Sequence, residues 1–273
     1  MENGTITYIQ SLREDLGIFR VTPDYGVPDF KAGQFLTLGL PLDSTMVNRA
    51  YSISSSPENK KFFEFVIRWV RKPLPGRLTS LLFNTKVGDK ISWAKPAGTL
   101  TINNTLPSGD KDTRRIVCIG GGTGLAPFVS FAQHLHDTND KREIVVLHGA
   151  SYVDELSYKQ LLTDLENESI DKGKDKWNFK YRAAISRPEE WTNRAWNGHK
   201  GRIEQFLRSN DAGKSPLDEL VGEKITKDNT MFYVCGWQGT IDGTMDYLKT
   251  KNFVTEKNKR QDGSYDVKFE SYG

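Results

Sequence analysis

The feature that most constrains this chain is a change of rhythm on either side of residues 103–114. Ahead of that segment, apolar residues fall into short, often alternating runs rich in β-branched and aromatic side chains, at residues 5–12, 17–23, 33–40, 49–54, 62–70 and 89–95. Gly33, Gly39, Pro41, Pro57, Gly88 and Gly98 punctuate them. Successive strand residues point to opposite faces, so these runs read as strands between turns. Six such strands predict a closed or nearly closed antiparallel barrel. Residues 77–83 are its one helical piece.

Behind the segment the pattern becomes strand–helix alternation. Residues 114–122, 143–150 and 179–186 read as buried strands, with helical periodicity over 125–138 and 156–168 between them. Residues 201–209, 231–236 and 241–250 continue the alternation. Such alternation predicts a parallel sheet with helices on both faces, with ligands beyond the carboxyl ends of its strands. The segment itself is polar and carries Pro107, Gly109 and Asp110, as a boundary does. We therefore expect two domains: an antiparallel Greek-key β-barrel over 1–112 and an α/β parallel-sheet domain over 113–273.

Composition excludes several function classes. Hydrophobic residues make up 37% and charged residues 27%, an ordinary globular balance. No run approaches the ~20 apolar residues of a membrane span, and the N-terminus does not read as a secretory signal. A cytoplasmic monomer is the expectation. Cys118 and Cys235 are too few for an iron–sulfur cluster or a four-cysteine zinc site, and are expected as free thiols. His134, His136, His148 and His199 show no ligand spacing, so no metal is expected. The net charge of +3 says little, and no nucleic-acid module is present. Two basic clusters stand out: Arg68, Arg71, Lys72 and Arg77, and Lys249, Lys251, Lys257, Lys259 and Arg260. Each suits either an acidic partner or phosphates, or is simply solvated surface.

Local motifs sharpen the picture. Arg49-Ala50-Tyr51-Ser52 lies on a predicted strand, where Arg49 and Tyr51 share a face and Ser52 takes the other. A guanidinium forks onto a diphosphate, a phenol ring lies flat on a planar heterocycle, and a hydroxyl bonds a ring nitrogen. Gly76-Arg77-Leu78-Thr79 opens the helix, offering unpaired N–H groups to a phosphate, with Thr79 expected to add its hydroxyl. In the second half, Gly120-Gly121-Gly122-Thr123-Gly124-Leu125-Ala126-Pro127 ends a strand and opens a helix. That is an anion-binding loop, although Ala126-Pro127 stands where the usual dinucleotide spacing places a third glycine. Val234-Cys235-Gly236 ends another strand.

Taken in order, these motifs resemble the ferredoxin–NADP reductase family over nearly the whole chain. The resemblance implies FAD held by Arg49, Ala50, Tyr51, Ser52, Gly76, Arg77, Leu78 and Thr79, with Ser52 beside flavin N5 and Thr123 near both cofactors. It implies NADP(H) held by Gly122, Thr123, Gly124, Cys235 and Gly236, and hydride transfer in a cleft between the domains. For the 2′-phosphate it points to Ser151, Arg187 and Arg202, with Arg194 and Lys200 as substitutes. Some relatives carry arginine where Ser151 stands, which weakens the preference for NADP over NAD. Cys235 is implied to align the nicotinamide, not to attack it. Tyr272 is penultimate and followed by glycine. Its role stays open between covering isoalloxazine, stacking on adenine and a frayed end. Glu270 is a candidate proton relay or partner-facing residue. The implied partner is ferredoxin or flavodoxin. The alternatives are a reductase serving an oxygenase or quinone, and a non-catalytic flavin-binding subunit, against which the intact motifs argue.

Overall fold

The computed structural model describes residues 1–71, 75–211 and 213–272. The chain forms two compact units. The first takes Met1–Thr101 together with Ala126–Thr138; the second takes residues 102–125 and 139 onward.

All six strands expected in the first half are present. β1 (Glu2–Arg13), β2 (Leu16–Pro23), β3 (Phe35–Leu42), β4 (Thr45–Ser52), β5 (Phe63–Arg68) and β6 (Lys90–Trp93) form one antiparallel sheet in the order β4-β3-β6-β1-β2-β5. Its two edges meet where Ser54 N donates to Glu64 O (2.8 Å), so the sheet curls toward closure. Ile6, Leu36, Leu38, Phe63, Phe65 and Trp93 are nearly inaccessible and fill its interior. Burying each large side chain is worth roughly 1.5–3 kcal/mol. Gly33 sits at φ +89°, and a Cβ there would lie 2.0 Å from Leu100 O, so no other residue fits.

α1 (Arg77–Leu82) follows β5 and inserts Leu78 and Leu82 into that interior while packing on β3 and β4. α2 (Ala126–Asp137) belongs to this first compact unit although it follows the glycine loop in the chain. Ser130 Oγ donates to Ser55 O (2.8 Å) and Gln133 Nε2 to Ser54 O (2.9 Å), anchoring α2 on the loop after β4.

The second unit holds a parallel sheet of β7 (Arg115–Gly121), β8 (Ile144–Ala150), β9 (Phe179–Ile185), β10 (His199–Lys200), β11 (Thr230–Gly236) and β12 (Val267–Ser271), ordered β10-β9-β8-β7-β11-β12. β7 and β11 are buried along their whole length, as central parallel strands are, which is why they read as continuous apolar runs. The helices are α3 (Lys159–Lys172), α4 (Pro216–Val221) and α5 (Gln238–Thr250). Connections leave β7 and β11 toward opposite sides of the sheet, so the carboxyl ends of these neighbours form the switch point where α/β sheets bind ligands.

Three details differ from the sequence pattern. Residues 201–209 form no full helix, only a 3-10 turn over Ile203–Leu207, and α4 begins later at Pro216, capped by Ser215. β10 has two residues, too few to show a period. β12 carries Lys268 and Glu270 among its five residues, and its alignment comes from its neighbour β11. The polar segment over 103–114 is also not a loose tether. Asn103 N donates to the Tyr233 hydroxyl (2.8 Å), and Arg142 reaches Asn103 O (2.7 Å) and Asn104 Oδ1 (2.8 Å).

Candidate functional site

In the first unit the register of β4 against β3 fixes the Arg49 to Ser52 motif. Arg49 lies opposite Leu38, Tyr51 opposite Leu36, and Ser52 opposite Phe35. Arg49 and Ala50 are exposed, Tyr51 is half-buried, and Ser52 is 4% exposed. Burial pushes the Tyr51 phenol up to about 12, with the nearby Arg49 charge partly opposing, so the ring stays neutral. The Arg49 guanidinium gives one N–H to Asn48 O (2.9 Å).

Beside this strand lies the start of α1. Gly76 is its N-cap and no side chain caps the helix. The N–H groups of the first turn are thus left for another acceptor. A Cβ at Gly76 would lie 2.5 Å from Thr79 Oγ1, whose hydroxyl donates to Gly76 O (3.1 Å). Thr79 is buried, so its hydroxyl shapes the turn instead of projecting outward. Arg68 is paired with Asp15 and Arg71 with Glu14, whereas Arg77 has no ion pair among the described residues. Lys72 lies outside the described residues.

In the second unit the glycine loop rests on the end of β11. A Cβ on Gly124 would stand 2.3 Å from Cys235 O, and one on Gly120 would stand 2.8 Å from the Leu125 Cα. Gly122 is different: it has φ +57° and open space around its missing side chain. Gly122 and Thr123 are half-buried. His148 sits on β8 opposite Gly120, fully buried. Burial lowers its pKa to about 4, with the Gly122 backbone partly opposing. A neutral imidazole therefore supports the loop, its Nδ1 3.3 Å from the Tyr181 hydroxyl.

β12 brings four of the predicted residues, Cys235, Gly236, Glu270 and Tyr272, together. Glu270 pairs with Cys235 across the ladder and Ser271 with Gly236. Tyr272 N donates to Gly236 O (3.0 Å), and the Tyr272 side chain hydrogen-bonds Cys235. The chain is thus pinned at Tyr272, not frayed. Gly273 lies outside the described residues. Cys235 is inaccessible, and burial holds its thiol far above the usual range despite the tyrosine, so it is no thiolate nucleophile. Burial also raises the Glu270 carboxyl.

The residues proposed for a 2′-phosphate occupy the carboxyl ends of β8 to β10. Ser151 is half-buried and Arg187 exposed, with Arg187 Nη1 donating to the Tyr152 hydroxyl (2.8 Å). Arg202 is exposed and paired with Glu204 at 3.0 Å. Arg194 and Lys200 are exposed. Sequence reasoning did not single out Tyr152, Glu155 or Asn193, which bind these loops together; they form no motif, and only the contacts reveal them. In the second basic cluster, Lys257 and Lys259 lie over the rings of Phe269 and Tyr265, and Arg260 is held by Asp266.

These features fit a flavin dinucleotide and a nicotinamide dinucleotide. The uncapped helix start beside Arg49 and Tyr51 suits a diphosphate with a planar ring. The loop closed by Gly120 and Gly124, yet open at Gly122, suits a second diphosphate. Sequence comparison matches residues 3–102 to the oxidoreductase FAD-binding domain and residues 118–246 to the oxidoreductase NAD-binding domain. The ferredoxin–NADP reductase of Azotobacter vinelandii is 32% identical over 80% of this chain and 78% of its own. The reductase component of propane 2-monooxygenase from Mycolicibacterium goodii is 30% identical over 88% of this chain and 61% of its own. The fold matches that of a Neisseria gonorrhoeae ferredoxin NADP+ reductase with bound FAD and NADP, with a TM-score of 0.77 at 22% identity, covering 98% of this chain and 97% of that one.

Proposed function

From the premise that the chain belongs to the ferredoxin–NADP reductase family of flavoprotein oxidoreductases, we propose that it moves electrons between NADP(H) and a ferredoxin or flavodoxin. The observation that carries this reading is the second unit's switch point. There a glycine loop, closed to side chains at Gly120 and Gly124, lies on Cys235, with Glu270 and Tyr272 alongside.

In the proposed assignment, residues 1–112 form the flavin module and 113–273 the coenzyme module, a division supported by the matched ranges. Bound FAD would supply the hydride and single-electron chemistry of such a reaction, which no side chain here can supply. Arg49 and the N–H groups of Arg77, Leu78 and Thr79 bind the flavin diphosphate, and Gly76 lets it approach. Tyr51 would offer its neutral ring as a platform, the small Ala50 would leave room beside it, and Ser52 would offer its hydroxyl to flavin N5. Gly122, Thr123 and Gly124 would bind the coenzyme diphosphate. Ser151, Arg187 and Arg202 take the 2′-phosphate. Cys235, a neutral thiol beside Gly236, orients the nicotinamide ring. Glu270, with its raised pKa, holds a proton on its carboxyl at a higher pH than a solvated glutamate. Tyr272 fixes Cys235 from the carboxyl side.

Arg77 and the lysines at 257 and 259 would steer an acidic carrier, a rate effect that salt weakens. We place the protein in the cytoplasm as a monomer; among the described residues no helix is long and apolar enough to cross a membrane. A second reading, service to an oxygenase, is favoured by the monooxygenase-reductase relative. Anaerobic titration separates them. The purified protein should be yellow, bleach with NADPH, and then reduce ferredoxin or flavodoxin. Reduction of an oxygenase or quinone alone would select the second reading, and a colourless protein that resists reconstitution with FAD would defeat both.

A further inference from the structure

We propose that Asn193 is a positioning residue that sets coenzyme selectivity, by locking the loops after β8 and β9 into one rigid surface presenting Arg187. The proposal rests on the NADP(H) reading above. Asn193 ends a 3-10 turn, Trp191–Asn193, and is only 1% exposed. Its amide is used on three sides. Nδ2 donates to Ser151 O (3.0 Å) and to Arg187 O (2.8 Å), and Oδ1 accepts from Val153 N (2.9 Å). Both amide hydrogens and the carbonyl oxygen are therefore committed to backbone groups of two separate loops.

The same loops carry two further ties. The buried Glu155 carboxylate accepts from Ser151 N (3.1 Å) and Tyr152 N (3.3 Å), turning the chain sharply after β8. The Tyr152 hydroxyl accepts from Arg187 Nη1 (2.8 Å), and the guanidinium carbon lies 5.4 Å from the tyrosine ring centre. Arg187 is thus held at its backbone by Asn193 and at its head by Tyr152, while the side chain remains exposed. An arginine fixed at both ends loses little conformational freedom when it takes up an anion. A 2′-phosphate gains from that preorganisation and a 2′-hydroxyl does not, so Asn193 acts on the difference between the two coenzymes.

The test uses the flavin-loaded protein and three variants: Asn193→Ala, Tyr152→Phe and Arg187→Ala. Each is measured for kcat and KM with NADPH and with NADH, using ferricyanide as acceptor. Binding of 2′,5′-ADP and 5′-AMP is measured by titration calorimetry. For Asn193→Ala we expect 2′,5′-ADP binding about tenfold weaker and KM for NADPH raised in proportion, with 5′-AMP binding and KM for NADH within about twofold. Tyr152→Phe should weaken 2′,5′-ADP alone by about threefold, and decides the matter if Asn193→Ala does not fold. Equal losses for both nucleotides, or none, would overturn the proposal. If Arg187→Ala weakens 2′,5′-ADP while the other two variants do not, the positioning role fails and the phosphate assignment stands. If Arg187→Ala has no effect either, the phosphate assignment fails as well.

Discussion

His148 shows how one buried side chain makes stability depend on pH. Folded, it remains neutral down to a pH of about 4; unfolded, it takes a proton below the ordinary 6.5. Between those values the unfolded chain binds more protons, so its contribution is present above pH 6.5 and is lost as pH falls toward 4. Full loss amounts to about 3 kcal/mol. Urea midpoints at pH 7, 6 and 5 should therefore fall more steeply for the native sequence than for His148→Gln, and parallel slopes would contradict this. The glycine loop makes a second residue-scale case. At Gly124 the obstruction is backbone (Cys235 O and C, and the Gly236 Cα), which cannot swing aside. Gly124→Ala should cost about 3 kcal/mol through overpacking, whereas Gly122→Ala, strained only by its positive φ, should cost about 1 kcal/mol. Equal unfolding midpoints for the two variants would show that the loop does not rest on β11.

At the scale of elements, Arg142 is one of several ties on the segment between the two rhythms, beside the Tyr233 hydroxyl and Arg114. The Arg142 side chain is 6% exposed and pairs with Asp140 at 2.9 Å while bonding Asn103 O and Asn104 Oδ1. Removing it strands a partly buried carboxylate and two acceptors at once. Arg142→Ala should destabilise the protein by about 3 kcal/mol, read from urea unfolding; a loss below about 0.5 kcal/mol would mean the segment is held elsewhere. β12 makes the complementary point. Its charged residues hide a strand whose parallel pairing delivers Glu270 and Tyr272 to Cys235, a meeting no local pattern encodes.

For the whole molecule, compactness and chain order part company at α2. The first unit keeps its own barrel core yet recruits α2 from the far side of the glycine loop. A fragment comprising residues 1–112 retains every barrel strand and lacks the bonds from Ser130 and Gln133. Those two bonds are worth about 1 kcal/mol each, with buried apolar contacts of α2 adding to them. Followed by hydrogen exchange of the barrel-strand amides, the fragment should open at lower urea than the same barrel in the full chain. Coincident transitions would show that α2 contributes nothing to the barrel.

The sequence alone determined both architectures, because strand and helix periods are local consequences of which face is buried. It also located the Arg49 to Ser52 strand, the Gly76 helix start and the glycine loop, since glycine, arginine and proline act through nearby backbone geometry. Tertiary structure alone decided that α2 packs with the barrel, that β12 lies beside Cys235, and that Asn193 joins two loops. Those outcomes depend on hydrogen bonds between residues distant in sequence, whose partners are chosen by packing and leave no periodic trace in the chain.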